Sequence, residues 1–317
     1  MHTVKHYTVT VAIPAYNRVE LLTRAIASVL RQTYEPTEIL VVDNNSSDDL
    51  YSAVGSFNDS RIRYVRNDEN IGMVPNWNRC LSLAQGDIIN ILHSDDELLP
   101  NSVQRAIDAF MEDESIGLVC TVVTSASIGL QAGPAATRYL VENVVSPVSS
   151  AFIKRRCIDV CGVYSVCYPY TADQEFFPRI ARHFSVGTLA DLVFERDHEG
   201  RSMIDTWRRT DFFLQFGSVR KAAWALTDEH PKSVYLAIRN ELFGCCCYIY
   251  RYLIEHTSID ADRDISLRYL RLSTRYLLDN PSDIFTVQGV RILVARLTHL
   301  VNVGIAAHLL PRDFHQK

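Results

Sequence analysis

In the first hundred positions, apolar residues either alternate with others or run unbroken over short stretches, and each stretch ends in a polar tip. "YTVTVAIPAYN" (7–17) opens with β-branched alternation and ends beyond a Pro, which predicts a first strand running into a loop. "RVELLTRAIASVLRQ" (18–32) places Leu22, Ile26, Val29 and Leu30 at helical spacing. "TEILVVDNNSSDD" (37–49) reads as a second strand and "RIRYVRND" (61–68) as a third. "MVPNWNRCLSLAQG" (73–86) reads as a helix closed by Gly86, and "DIINILHSDDE" (87–97) as a fourth strand. Strand and helix therefore alternate, which predicts an α/β fold with a largely parallel sheet.

Beyond about residue 206 the spacing turns helical: "WRRTDFFLQF", "SVYLAIRNELFGCCCYIYRYLIEH", "DISLRYLRLSTRYLLDN" and "TVQGVRILVARLTHLVNVGIAAHLL" all carry it, with breaks at Pro231 and Asn280–Pro281. The predicted organisation is a sheet domain over 1–205 and a helical C-terminal region over 206–317. The uncharged run 116–137, "IGLVCTVVTSASIGLQAGPAAT", is long enough to imitate a membrane span, but its Gly, Pro, Ser and Thr content predicts a buried strand followed by a loop.

Composition narrows the classes. With 317 residues, 47% of them hydrophobic, the chain can bury a sizeable core. A formal charge of −5 supplies no global positive field for nucleic acid, so an anionic ligand must be met locally. The opening "MHTVKHYTVTVAIPAYN" lacks the basic head, apolar middle and small-residue cleavage site of a secretory leader, which sets the expectation of a cytoplasmic protein. Eight cysteines form no CxxC pair and no regular disulfide framework. Cys157, Cys161 and Cys167 could be drawn around zinc, but ordinary reduced thiols are the simpler reading.

Ligands of open α/β sheets bind at the carboxyl ends of the strands, where the tips "PAYNR", "DNNSSDD" and "HSDDE" all fall. Neither G-x-G-x-x-G nor G-x-x-x-x-G-K-[ST] follows the first strand, which argues against a dinucleotide dehydrogenase or a P-loop ATPase. The consecutive acids Asp95, Asp96 and Glu97 suit a hard divalent cation, Mn2+ or Mg2+, shared with a substrate diphosphate. The plainer alternative is that they oppose the dipole of a helix in "ELLPNSVQRAIDAF", and both can hold together. Glu97 is expected to cap or to face solvent.

Three segments, "VTVAIPAYNRVELLTRAIASVLRQTYEPTEILVVDNNSSDD", "NIGMVPNWNRCLSLAQGDIINILHSDDELLP" and "GVYSVCYPYTADQEFFPRIARH", resemble in order and spacing the family 2 glycosyltransferases of GT-A fold. That resemblance implies a Rossmann-like, mostly parallel sheet flanked by helices, and transfer of a sugar with inversion from a nucleotide-diphosphate sugar to a hydroxyl. The donor expected is a UDP-sugar, with dTDP- and GDP-sugars as alternatives; the acceptor is a saccharide or a lipid-linked saccharide, in bacterial surface polysaccharide assembly. It implies that Pro14, Ala15, Tyr16 and Asn17 line the nucleotide pocket, that Asp43 accepts from the base, and that Asn76 and Asp95 also contact the nucleotide. Asp43 alone could equally be a turn-forming residue.

By the same resemblance Asp95 and Asp96 hold the metal, Asp173 is the general base, Arg179 is structural, His198 is a metal or diphosphate contact and Arg201 meets the diphosphate. The chain departs from the family pattern at His93, where an Asp often stands, at Ala172, which replaces a Glu, and at Asn76-Trp77-Asn78, where Arg-Asn is frequent. Trp77 is read as packing, and Asp173 as a helix cap if it is not the base. Arg268, Arg271 and Arg275 share one helical face that is either solvated or turned to an anionic membrane surface, and 284–310 reads as a packing or dimer surface. The competing functions are a sugar nucleotidyltransferase, which would need a Gly-rich basic loop that "PAYNR" lacks, and a non-catalytic sugar-nucleotide binder.

Overall fold

The structure, a computed structural model, describes residues 6–122, 129–142, 145, 147–194 and 212–227. The expectations placed on His198, Arg201, the arginines 268, 271 and 275, and the C-terminal helices from 233 onward fall outside those residues. Two compact units make up the chain, Met1–Asp197 with Ala222–Asp228, and His198–Lys221 with Glu229–Lys317. The account below concerns the first.

Its strands are β1 (Val9–Ala15), β2 (Glu38–Asp43), β3 (Ile62–Arg66), β4 (Ile88–Ile91), β5 (Glu97–Leu98), β6 (Ile116–Cys120), β7 (Gly129–Gln131), β8 (Phe152–Lys154), β9 (Ser185–Thr188) and β10 (Val193–Phe194). The helices are α1 (Val19–Leu30), α2 (Leu50–Gly55), α3 (Met73–Leu83), α4 (Ser102–Glu112), α5 (Pro134–Glu142), α6 (Arg155–Cys161) and α7 (Ala172–Ala181), and Phe212–Trp224 forms a further helix. Eight strands form one sheet in the order β3-β2-β1-β4-β8-β6-β9-β7. Neighbours β3, β2, β1 and β4 are parallel, as are β6 and β9; β8 runs antiparallel between β4 and β6. The mostly parallel sheet flanked by helices is the architecture the alternating pattern predicts.

Both faces of the sheet are covered. Val11 and Ile13 of β1 pack with Leu22, Ile26 and Val29 of α1 and with Ile107 and Phe110 of α4; Ala12, Leu40 and Val42 pack on the other face with Trp77 and Leu81 of α3 and Phe176 and Phe177 of α7. All six residues of β2 are buried, as expected of a central strand with helices on both sides.

Three local expectations are corrected. Gly86 does not close α3, whose last turn ends at Leu83; it sits where a Cβ would come within 2.5 Å of the Thr10 nitrogen, so it permits the close passage of β1. The segment after β6 is not only loop, because β7 pairs with β9 and α5 starts at Pro134, a position where the missing N–H costs nothing. The acids 95–97 do not face the dipole of α4, because that helix starts at Ser102 and carries no acid in its first turn; Glu97 lies in β5, paired with Phe194.

Chain order reverses beside β1, since β2 and β3 lie on one side and β4 on the other. This is the switch point at which open α/β sheets bind ligands. Registers Ala15↔Asp43 and Ala12↔Ile91 bring the tips of β1, β2 and β4 to one edge.

Candidate functional site

A cavity of about 330 Å³ opens among those tips. Pro14, Ala15, Tyr16 and Arg18 line it from the end of β1 and the turn after it, Asn44 from just past β2, Met73, Asn76 and Trp77 from α3, and His93, Ser94 and Asp95 from the loop after β4. Of the nucleotide residues named above, Pro14, Ala15, Tyr16, Asn76 and Asp95 are therefore in its wall.

Asn17 and Asp43 are not. The Asn17 carboxamide oxygen accepts from the Ser47 N–H (2.8 Å), and the Asn17 N–H donates to Ser46 Oγ (2.8 Å), which ties the first tip to the second. Asp43 is 0% exposed. Its Oδ2 accepts from the Tyr64 hydroxyl (2.5 Å) and from Arg66 Nη1 (2.9 Å), and its Oδ1 from the Ser46 N–H (2.9 Å) and hydroxyl (2.5 Å). Four internal donors fill the acceptor capacity of one carboxylate. Burial and the bond to Asp43 push the Tyr64 phenol up to about 12, which keeps it a donor.

The wall that α3 presents rests on a chain of amides. Asn44 Oδ1 accepts from Asn67 Nδ2 (2.9 Å) and the Ile71 N–H (3.0 Å), Asn67 Nδ2 also donates to Asn76 Oδ1 (2.9 Å), and Asn76 Nδ2 donates to the Val42 carbonyl (3.1 Å). One side chain thus orients the next, while Asn67 Oδ1 stays buried without a hydrogen-bond partner.

The β4 tip is built differently. Ser149, fully buried in the short 3-10 turn before β8, accepts from the His93 N–H (2.9 Å) and donates to Asp96 Oδ2 (2.6 Å). Asn90 holds that turn in place through its Nδ2, which donates to the carbonyls of Ser149 (2.7 Å) and Ala151 (2.9 Å). His93, Asp95 and Asp96 can each offer one ligand atom, all within 4.8 Å of one another, and no other such group exists among the described residues. The His93 ring stacks on Trp77 at 5.0 Å, and its Nε2 is buried with no hydrogen-bond partner. A buried imidazole with one unpartnered nitrogen, grouped with two carboxylates, fits a divalent cation, whose charge would offset the acids. The residues present therefore suit the metal that the sequence led us to expect, with His93 as a member that sequence reasoning treated only as a departure.

Trp77 is 5% exposed and touches both His93 and Tyr164, the latter edge-on at 5.4 Å, so it is a packing residue that also forms cavity wall. Asn78 clamps Tyr164 by its backbone, accepting from its N–H (3.0 Å) and donating to its carbonyl (2.9 Å). Asp173 lies in the first turn of α7 and outside the cavity wall. Burial first, and then the Asp173 charge, drive the Tyr164 phenol far above its ordinary value. Near Asp173 in the chain, Thr171 Oγ1 and Gln174 Oε1 are buried without hydrogen-bond partners. Arg179 is structural: it forms a two-pronged pair with Glu175 (2.8 Å each) and donates to the carbonyls of Cys161 and Val163. Cys157 donates to the Gly117 carbonyl, and burial pushes its thiol up to about 12, as for an inert core cysteine rather than a zinc ligand.

A sheet with this switch point, with a carboxylate and imidazole cluster beside a cavity, defines an α/β domain with a candidate ligand site. Residues 10–160, just under half of the chain, match the model of glycosyl transferase family 2. The Escherichia coli protein WfgD, a UDP-Glc:alpha-D-GlcNAc-diphosphoundecaprenol beta-1,3-glucosyltransferase, is 36% identical over 107 residues, 34% of this chain and 42% of that one. The first curated relatives are matched over only 34% to 42% of their own length. Among solved structures, S. aureus TarS 1–349 has a TM-score of 0.61 at 14% identity, covering 95% of this chain and 90% of that one, and it has also been crystallised with UDP-GlcNAc. The mannosyltransferase PcManGT of Pyrobaculum calidifontis, solved with GDP-Man and Mn2+, has a TM-score of 0.51 at 18% identity, covering 94% and 88%. These neighbours share the GT-A fold.

Proposed function

We propose that the chain is an inverting glycosyltransferase that moves a sugar from a nucleoside-diphosphate sugar to an acceptor hydroxyl, with a divalent cation, in the assembly of a bacterial surface polysaccharide. The observation that carries this reading is the His93, Asp95 and Asp96 group beside a cavity at the switch point of the sheet. The match of residues 10–160 to the glycosyl transferase family 2 model supports the reaction class. WfgD's name supports UDP-sugar as donor and a lipid-linked saccharide as acceptor, and the TarS complex supports UDP-sugar again. The Mn2+ of PcManGT supports the cation, which imidazole ligation would favour over Mg2+. We assign the catalytic unit to residues 1–205 and the helical region to 206–317.

Each group has a defined task. Asp95, Asp96 and His93 would hold the cation, which would supply countercharge to the diphosphate. Pro14, Ala15, Tyr16, Asn44 and Asn76 position the nucleoside. Asp173 accepts the proton of the acceptor hydroxyl, whose oxygen attacks the anomeric carbon as the bond from that carbon to the diphosphate breaks. The diphosphate leaves with the electron pair, and a single displacement inverts the centre. Negative charge builds on the leaving group in the transition state, so preorganised positive charge there lowers the barrier.

Asp173→Asn tests the assignment. Turnover should fall at least about a hundredfold while donor binding is retained. Normal turnover by the variant would remove Asp173 from the mechanism. A second reading, a non-catalytic sugar-nucleotide binder, draws on His93 and Ala172 in place of acids. Wild-type donor turnover with Mn2+ excludes it, because a pure binder releases no nucleotide.

A further inference from the structure

We propose that Arg18 is a charge-exchange residue: it neutralises Asp95 while the metal is absent, and it transfers to the donor's diphosphate once the cation takes that carboxylate. The inference rests on the proposed function and deepens it by assigning a diphosphate-binding cation in the described part of the chain.

Arg18 is the only Lys or Arg among the described residues lining the cavity. Its Nη1 lies 3.4 Å from Asp95 Oδ2, with 54% of its side chain exposed against 23% for the aspartate. A long, half-exposed pair of this kind is held weakly and is cheap to exchange. Its backbone, by contrast, is held firmly. Asn17 and Arg18 both adopt the left-handed conformation, with φ of 56° and 60°. L-residues rarely take this conformation, and an Arg gains nothing from it locally. Two bonds maintain it, from the Asn17 N–H to Ser46 Oγ (2.8 Å) and from the Arg18 N–H to Asp48 Oδ2 (2.8 Å). The β2 tip thus fixes a turn of the β1 tip that sends a guanidinium to the β4 tip. The backbone is fixed at one end and the side chain is loose at the other.

Asp95 is shared between two cations. It belongs to the group that fits a divalent ion, and it is also the partner of Arg18. The two compete for one carboxylate, so ion binding there weakens the hold on Arg18. A guanidinium released beside the ion faces the diphosphate bound to that ion, for which its planar donors are well matched. Competition before the donor binds and cooperation after it give opposite signs, which is the signature to seek.

The experiment uses the full chain, wild type, Arg18→Ala and Arg18→Lys. Mn2+ binding without nucleotide is followed by electron paramagnetic resonance of the free ion, and binding of UDP and of uridine at saturating Mn2+ by calorimetry. Arg18→Ala is expected to raise Mn2+ affinity about two- to fivefold by removing the competing charge. It should weaken UDP about tenfold to a hundredfold, as for loss of a charged hydrogen bond, and leave uridine within about twofold. Arg18→Lys should keep wild-type Mn2+ affinity and recover part of the UDP affinity. Unchanged or weakened Mn2+ binding in Arg18→Ala, or equal losses for UDP and uridine, would overturn the inference, because a collapsed loop lowers everything together. If the wild-type chain with Mn2+ binds no UDP, the underlying reading of the site fails, and the inference with it.

Discussion

The tips of β2 and β4 look alike in sequence, each a strand running into a cluster of acids, yet the structure puts them to opposite uses. At β2 the Asp43 carboxylate is sealed from solvent and filled by Tyr64, Arg66 and Ser46. At β4 one serine hydroxyl steadies Asp96, Asp95 lines the cavity, and His93 keeps a buried nitrogen unmatched. An acid enclosed with donors from its own chain reads as scaffold, and acids grouped with an imidazole at a cavity mouth are the candidates for a ligand. The neighbours, not the motif, decide which.

The sharpest way to break this contrast is the pair Asp96→Asn and Asp43→Asn. The first should reduce Mn2+ affinity by more than about a hundredfold with little change in melting, while the second should leave Mn2+ affinity within about threefold and lower stability by about 2 kcal/mol. Titration with Mn2+ and denaturant unfolding of both variants would erase the distinction if the two behaved alike. Next in size is Ser149→Ala, for which about a tenfold loss of Mn2+ affinity is expected from the loosened Asp96 and His93, again measured by titration. His93→Asp replaces imidazole by a harder oxygen ligand. It should move the ratio of Mn2+ to Mg2+ affinity severalfold toward Mg2+, and an unmoved ratio would exclude the imidazole from the ion's surroundings.

The smallest effect lies at the β2 tip. Tyr64 is raised from 10.0 to about 12 in the folded chain, so between those values the unfolded chain has lost a proton that the folded chain still holds. Stability from this group is full below pH 10 and is lost as pH rises toward 12. Subtracting the alkaline unfolding profile of Tyr64→Phe from that of the wild type should isolate it, and superimposable profiles would show the Tyr64–Asp43 bond to be inconsequential.

Much of this was legible in the chain. β1 to β4 follow from β-branched runs ending in polar tips, because burial on both sheet faces leaves a strong local signature. The convergence of the tips follows from the rule for open sheets, and Asp95 and Asp96 from the chemistry of hard cations. What escaped depends on partners far along the chain. Nothing around Ser149 in "VSPVSSA" announces that its hydroxyl meets Asp96, and nothing in "DIINI" says that Asn90 clamps the turn beside it. Asn17 and Asp43 have residue types that suit ligand contact, and only the positions of Ser46, Ser47 and Tyr64 reveal that they are spent internally. β5 and β10, two residues each, are too short for any period to register. His93 and Arg18 stand beside recognisable motifs, and both could have been weighed as ligands from their place in the tips.

Ser149 lies 53 positions beyond Asp96, and the strand that follows it enters the sheet antiparallel between β4 and β6. A ribosome that has released only the first 122 residues has therefore exposed every acid of the motif without the hydroxyl that aligns them. On the proposed reading, ion capture waits for that late strand to dock, so a truncated nascent chain would bind cations loosely and the tight, selective mode would report completed assembly of the sheet.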